Sequence, residues 1–303
     1  MSHYSRLYSS LLKSQWAISP QFAQQWFPRL NDFIDHHQPM AFDDDEGQKK
    51  QPGMVYNFLT EDGQPIPYSQ SEELPENSVA IIDLIGPMIK WGNYYCWGAD
   101  ELSMMITDAL GNEKISGLIL RIDSGGGAVD AIPPFAQVLQ ERDKPVIALC
   151  DMAASAAYYT AIYCDEIWGD NNISAEFGSI GVMVSFYDNQ KAMEERGYKR
   201  HVIYAPESTY KNQPFELALE GKYELIKSEV LSPLAQKFQQ DVRDQRPGLN
   251  LDTEGVLNGR MFYAETAREI GLIDNIGGLP QAVQRLKQLS AGRSLRSVNL
   301  NAV

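Results

Sequence analysis

The chain has 303 residues and a formal net charge of −14, with 44% hydrophobic and 22% charged residues. This length allows one large or two smaller domains with a substantial core, and the composition is ordinary for a soluble globular protein. The acidic balance argues against broad nucleic-acid binding, because there is no excess of Lys and Arg to neutralise phosphates.

Cysteine usage and hydropathy indicate an intracellular protein. The three cysteines, Cys96, Cys150 and Cys164, are odd in number and lack metal-ligand spacing, which favours a reducing compartment and predicts no metal site. No apolar run reaches the roughly 18 residues of a membrane span. We therefore expect no membrane anchor and a cytoplasmic location.

The N-terminal region differs in composition from the rest. Residues 1–53 are predicted to form an arm with one or two short helices within Leu11–Ile34, followed by the acidic linker Phe42–Gly53. The main domain is predicted over residues 54–290, with a tail over 291–303.

From Ser78 onward, short apolar runs alternate with amphipathic segments. Continuous apolar runs are typical of strands buried on both faces, and strand–helix repeats with short links predict an α/β fold with a mainly parallel sheet. The predicted strands are Val79–Gly86, Gly117–Asp123 and Pro145–Cys150, and the predicted helices are Gly98–Glu113 and Pro133–Arg142.

The second half continues this pattern. Strands are predicted at Ser179–Tyr187 and His201–Ala205, the second being a buried strand that starts at His201. A longer helical stretch with apolar residues on one face follows from Tyr223 to Val242, and Pro233 is expected to kink or divide it. The C-terminal part is predicted to hold two helices around a short strand.

The segment "MAASAAYY" places Ser155 just after a predicted strand and at the start of a predicted helix. Ligands bind at this edge of parallel sheets, and a helix N-terminus favours developing negative charge. The serine is therefore either a nucleophile or a helix N-cap.

The segment "RIDSGGGAVD" also follows a predicted strand. Its consecutive glycines expose backbone N–H groups, which suits an oxyanion hole, a phosphate loop or a plain turn. The lysine of a Walker motif is missing.

No histidine is well placed as a catalytic base. His3, His36 and His37 lie in the N-terminal arm, and His201 starts a predicted strand, so a Ser-His-Asp triad is not expected. A serine can instead use a lysine whose ammonium is desolvated. Lys211, in "ESTYKNQPF", is either that base or an ordinary solvated charge.

Four segments, taken in order, resemble the signal-peptide-peptidase family of serine–lysine proteases. They are "DSGGG", "MAASAAYY", "FGSIGVMV" and, after a "YK" loop, "NGRMFYAETAREIGLIDNIGG". The resemblance extends from about Ser78 to Leu289 and implies the fold of the Clp-protease/crotonase superfamily.

The resemblance assigns roles to individual residues. It makes Ser155 the nucleophile and Lys211, 56 positions later, the general base, with Ser179 supporting the lysine. The oxyanion donors it implies are the backbone N–H groups of Gly126, Gly127 and Ala156. No cofactor or metal is implied.

Two departures from the family pattern carry information. Gly125 replaces the usual proline of the turn, and Ala156–Ala157 replaces the Gly-Gly common after the nucleophile. The Ser-Ala variant, the predicted lack of an anchor and the segment "QWAISPQFAQQWFPRL" are similar to the bacteriophage prohead-protease branch.

The resemblance therefore implies a serine endopeptidase that cleaves scaffold, capsid or portal proteins during phage head maturation. It implies location in the host cytoplasm or the prohead, and homo-oligomeric rings in which a lysine can complete a neighbour's site. The alternatives are a cytoplasmic peptidase that degrades peptides, a crotonase-like acyl-CoA enzyme using carboxylates instead of the serine–lysine pair, and a catalytically silent capsid-assembly scaffold.

Overall fold

The structure is a computed structural model that describes the backbone of residues 16–18, 56–67, 73–92, 97–186, 188 and 190–300. Side chains are described over the same residues except 16–18 and 294–300. Most of the predicted arm, the acidic linker, Cys96 and the three N-terminal histidines lie outside the described residues.

The described residues alternate between strands and helices along most of the chain. The strands are β1 Trp16–Ile18, β2 Tyr56–Leu59, β3 Pro65–Ile66, β4 Ser78–Ile85, β5 Ile115–Ser124, β6 Gly126–Ala128, β7 Val146–Ala154, β8 Glu166–Gly169, β9 Glu176–Gly178, β10 Met261–Tyr263 and β11 Asn275–Ile276. The helices are α1 Ala99–Gly111, α2 Ile132–Gln140, α3 Ala156–Ala161, α4 Gln190–Glu195, α5 Gln213–Leu219, α6 Ser232–Gln245, α7 Ala264–Glu269 and α8 Leu279–Leu300. A 3₁₀ turn, Val129–Ala131, precedes α2, and a π-helical turn, Ile226–Leu231, precedes α6.

The main sheet has the order β10-β9-β7-β5-β4-β2-β3. The pairs β4–β5, β5–β7 and β7–β9 are parallel, whereas β2, β3 and β10 join antiparallel at the two edges. β8 pairs with the first half of β7, and β9 with its last three residues. This mainly parallel α/β sheet confirms the predicted architecture.

Both faces of the central strands are buried, which explains their continuous apolar sequences. Ile82 and Leu120 face the larger core, with helices α1, α2 and α3, while Ile81 and Ile119 face a second cluster closed by α8. Fully burying each of these side chains contributes about 1.5–3 kcal/mol relative to exposure. The strands are thus held from both sides, and their carboxyl ends form a rigid edge.

The predictions for the first half of the sheet are confirmed. The structure places β4, β5 and β7 on the predicted segments, and Pro233 lies in the first turn of α6, after the π-helical turn. The three described residues of the N-terminal arm form strand β1, not a helix. Helix α8 continues past residue 290, so no break in secondary structure separates the predicted domain from the predicted tail.

Two predicted strands are wrong. Residues 179–186 and His201–Ala205 form no regular strand, and His201 is exposed. β10 occupies the outer edge of β9, so neither predicted segment can pair with β9 there. Ile203, in the predicted buried strand, has 92% of its surface exposed.

We call residues 182–225 the exposed segment. Ala218 is the one buried residue among its described positions. Its large exposed apolar side chains are Phe186, Met193, Tyr198, Val202, Ile203, Tyr204, Tyr210, Phe215 and Tyr223.

Within the described part of the chain, no helix is both long and apolar enough to cross a lipid bilayer.

Candidate active site

Ser155 lies between the end of β7 and the start of α3, at the carboxyl edge of the parallel strands. Only 1% of its surface is exposed. Its backbone N–H donates to the Gly178 carbonyl at 2.8 Å, and its carbonyl accepts the first helical hydrogen bond, from Tyr159 N–H. The Ser155 backbone is therefore fixed on both sides.

The backbone conformation at Ser155 is strained. Its φ of 56° and ψ of −119° fall in a region that side-chain-bearing residues rarely adopt. Its hydroxyl makes no capping bond to α3, so the N-cap interpretation does not explain this geometry. A sharp, strained strand-to-helix turn is how several hydrolase folds present a nucleophilic serine.

The three-glycine turn is held against Met88. Met88 N–H donates to the Gly126 carbonyl at 3.0 Å, and Ala128 N–H donates to the Met88 carbonyl at 2.9 Å. Because neighbouring residues of a strand point their backbone groups to opposite edges, the N–H and C=O of Gly127 point away from Met88. The turn therefore presents one N–H, that of Gly127, on its other edge.

The N–H of Gly126 is already used inside the protein. It donates to the buried Ser124 hydroxyl at 3.1 Å, and that hydroxyl donates to the Gly86 carbonyl at 2.6 Å. The sequence interpretation missed Ser124, although it belongs to the quoted "DSGGG" motif. Of the predicted oxyanion donors, Gly127 and Ala156 fit best, since Ala156 opens α3, where N–H groups have no intrahelical acceptor.

Ser179 lies next to the serine turn. Its residue surface is 6% exposed, and its φ of 53° again lies in the left-handed region. Its N–H donates to the Arg260 carbonyl at 3.0 Å, so the loop before β10 fixes this conformation. The Ser179 hydroxyl has no hydrogen-bond partner among the residues that the structure describes.

Gly178 explains why β10 belongs to this site. Its φ is 126°, and a Cβ there would lie 2.3 Å from the Arg260 carbonyl oxygen. Only glycine fits this close approach. The Ser155 hydroxyl in turn faces the Gly181 carbonyl, at 3.4 Å. The "FGSIG" segment thus packs directly against the nucleophile candidate.

Lys211 is placed differently. It lies in a turn just before α5, in the exposed segment, and its ammonium group has no hydrogen-bond or ion-pair partner in the described residues. The structure brings together Ser155, Ser179 and the glycine turn along one sheet edge, but Lys211 does not contact Ser155 within this chain.

The described cysteines are poor nucleophiles. Cys150 and Cys164 are both free, and burial raises the pKa of each thiol, that of Cys164 to about 12. Both therefore stay protonated near neutral pH. The serine hydroxyl is the better nucleophile candidate at this edge.

A cavity of about 540 Å³ opens beside the site. Its lining includes Val129, which follows β6, Val182, which follows the Gly181 carbonyl, and Tyr159, one turn after Ser155. The Tyr159 ring stacks on Phe238 at 4.2 Å between centroids. The cavity is thus largely apolar at the end near Ser155.

Elsewhere in the cavity lining, polar side chains form hydrogen bonds and an ion pair with one another. The Asp241 carboxylate accepts hydrogen bonds from the hydroxyls of Tyr159 and Tyr163 and forms an ion pair with Lys237. Burial, and then the Asp241 charge, raise the pKa of Tyr163 to about 12, so its hydroxyl remains a donor. Within the described ranges, no cluster of His, Cys, Asp and Glu could hold a metal ion.

We expect Gly127→Ala to remove activity. A Cβ at Gly127 would lie 2.1 Å from the Met88 carbonyl oxygen, so β6 must move and its N–H with it. Losing one oxyanion donor costs about 10²–10³-fold in rate. Gly111→Ala, where a Cβ meets nothing within 4 Å, is the control. Protein hydrolysis and melting temperature are measured together; full activity in Gly127→Ala would rule out this strand as the oxyanion site.

Comparison with known proteins identifies the family that the chain matches. The model of "Peptidase family S49" matches residues 138–293, which include Ser155, Ser179 and Lys211. The chain is 32% identical over 198 residues to the chloroplastic serine protease SPPA of Arabidopsis thaliana, covering 63% of this chain and 28% of that protein. It is 24% identical over 218 residues to protease 4 of Haemophilus influenzae, covering 70% and 35%.

A phage protein is among the relatives. The head-tail preconnector protein GP5 of Enterobacteria phage P21 is 25% identical over 215 residues, covering 68% of this chain and 42% of that protein. The chain spans less than half the length of each of these three relatives. Because the family model covers more than half of the chain and includes the strained serine turn, the chain belongs to peptidase family S49.

Proposed function

We propose that the chain is a serine endopeptidase in which Ser155 is the nucleophile and Lys211 the general base. The observation that carries this proposal is the conformation of Ser155, a buried serine held in a strained turn at the carboxyl edge of the sheet. A residue kept at such a φ and ψ costs about 1–3 kcal/mol, and such strain clusters at active sites.

The first chemical step follows from the surrounding groups. The neutral amine of Lys211 takes the proton of Ser155 Oγ as that oxygen attacks a peptide carbonyl carbon. The N–H groups of Gly127 and Ala156 stabilise the oxyanion, and one such donor contributes about 3–4 kcal/mol to the transition state. The buried Ser179 hydroxyl, which has no partner among the described residues, accepts a hydrogen bond from the lysine and orients it.

The second step regenerates the enzyme. The protonated Lys211 gives its proton to the leaving amine, which departs and leaves an acyl group on Ser155 Oγ. Water, deprotonated by the same lysine, then attacks the acyl carbonyl carbon. The bond between that carbon and Ser155 Oγ breaks as the lysine returns the proton to Oγ, which releases the acid product and restores the neutral amine. No cofactor is needed for this sequence.

The position of Lys211 supports a site shared between copies. A lysine acts as a base only when its ammonium leaves bulk water, and Lys211 is exposed in the single chain. The same exposed segment carries nine large exposed hydrophobic side chains, and apolar surface of this kind, where it is contiguous, marks interaction sites. We therefore propose a homo-oligomeric ring in which this segment packs on a neighbour and delivers Lys211 to its Ser155.

The substrate proposed first is a phage assembly protein. Similarity to the head-tail preconnector protein of phage P21 supports a prohead protease that cleaves scaffold, capsid or portal proteins. Similarity to SPPA and protease 4 supports the alternative, a peptidase that degrades peptides. A silent scaffold is disfavoured, because it would not need the strain at Ser155.

One experiment separates these functions. The full chain is incubated with unfolded casein and, separately, with phage scaffold and capsid proteins, and fragments are sequenced by mass spectrometry. Internal cuts restricted to assembly proteins support the prohead role, and cuts in both support general peptide degradation. Intact substrates in every incubation would contradict the peptidase.

A further inference from the structure

The glycine turn has a second partner besides Met88. Strand β1 pairs antiparallel with β6, with Trp16 opposite Ala128, Ala17 opposite Gly127 and Ile18 opposite Gly126. These two strands form a separate sheet from the main one. A segment of the N-terminal arm therefore lies along the turn that the proposed mechanism uses.

The register of this pairing defines which groups meet. Gly126 C=O and Ala128 N–H are bonded to Met88, so the N–H and C=O of Gly127 face β1. In an antiparallel ladder, two opposed residues whose polar groups face each other exchange both hydrogen bonds. Ala17 is therefore the hydrogen-bonded partner of Gly127, and the Ala17 carbonyl points toward the Gly127 N–H that is assigned to the oxyanion hole.

We propose that Trp16–Ile18 occupies the edge of β6 to which a substrate polypeptide must bind, so that the substrate binds only by displacing this segment. The inference rests on the proposed peptidase function. An extended polypeptide added to a strand edge is a common mode of peptide recognition. The same backbone donor and acceptor of Gly127 cannot serve β1 and a substrate strand at once.

The short length of the pairing also determines which kind of ligand can displace β1. A three-residue strand contributes few hydrogen bonds, and a short two-stranded ladder is marginally stable in water. The segment can therefore be displaced by a longer extended chain that makes the same bonds. This gives a site that is closed at rest and opens to unfolded polypeptides.

The test weakens the pairing by changing Ala17, which lies outside the proposed catalytic groups. Ala17→Pro removes the N–H that faces the Gly127 carbonyl, whereas Ala17→Val keeps it and favours an extended strand. Both changes are made in the full chain carrying Ser155→Ala, so that cleavage cannot interfere. A fluorescent peptide of residues 12–22 is the probe, and its binding is followed by anisotropy.

The expected result is that Ala17→Pro binds the peptide about tenfold more tightly than the parent or Ala17→Val, because the apparent affinity rises with the open fraction. Equal affinities in all three chains, or no binding to any, would overturn the inference. The proposed function has its own test, in the Ala17→Pro chain with Ser155 intact. If Ala17→Pro tightens peptide binding but this chain hydrolyses no protein, the peptidase proposal is contradicted, whereas the inference that β1 occupies the strand edge still holds.

Discussion

Mixing inactive Ser155→Ala chains with inactive Lys211→Ala chains should restore hydrolysis. If Lys211 acts on the Ser155 of a neighbour, a site is intact wherever a lysine-bearing chain adjoins a serine-bearing one. In a ring of one heterologous interface repeated, random mixing at equal amounts leaves about a quarter of the sites active. Each variant alone should be close to inactive.

The design depends on both variants folding normally. Lys211 is exposed, and its side chain has no hydrogen-bond partner among the described residues, so its removal leaves the fold intact. The mixture is assayed after subunit exchange, with the casein hydrolysis rate compared with that of the two separate chains. A mixture no more active than its components would show that the dyad does not form between copies.

The central sheet was predictable because its signal is local. Ile82, Leu120 and Ile147 belong to apolar runs with both faces buried, and the short length of these runs between helical segments favours strands. Ser155 could be located for the same reason, since it follows directly on β7. The strained backbone conformation of Ser155 could not be predicted, because it depends on a hydrogen bond to the Gly178 carbonyl, which the fold brings next to Ser155.

The errors have a common physical origin. The "HVIYA" run has the composition of a buried strand, yet Ile203 is exposed, because a hydrophobic pattern does not distinguish a buried core strand from an exposed apolar surface. Likewise, nothing in "QWAIS" indicates pairing with β6. Contacts between distant segments decide both cases.

Replacing Ser155 with Ala should reduce protein hydrolysis by at least about 10⁴-fold, because no acyl-enzyme can form without the nucleophile. Among the described residues, the hydroxyl makes one long hydrogen bond, 3.4 Å to the Gly181 carbonyl, so its loss changes stability by less than about 1 kcal/mol. Ser228→Ala is the matched control, since this exposed hydroxyl lies in the π-helical turn and, among the described residues, bonds only to the Leu225 carbonyl.

The casein hydrolysis rate of Ser155→Ala, compared with those of the unaltered chain and of Ser228→Ala, tests the central claim most directly. The melting temperatures of the three proteins are measured beside it. We predict unchanged melting temperatures, full activity in Ser228→Ala and none detectable in Ser155→Ala. Undiminished hydrolysis by a folded Ser155→Ala protein would contradict the assignment of Ser155 as the nucleophile.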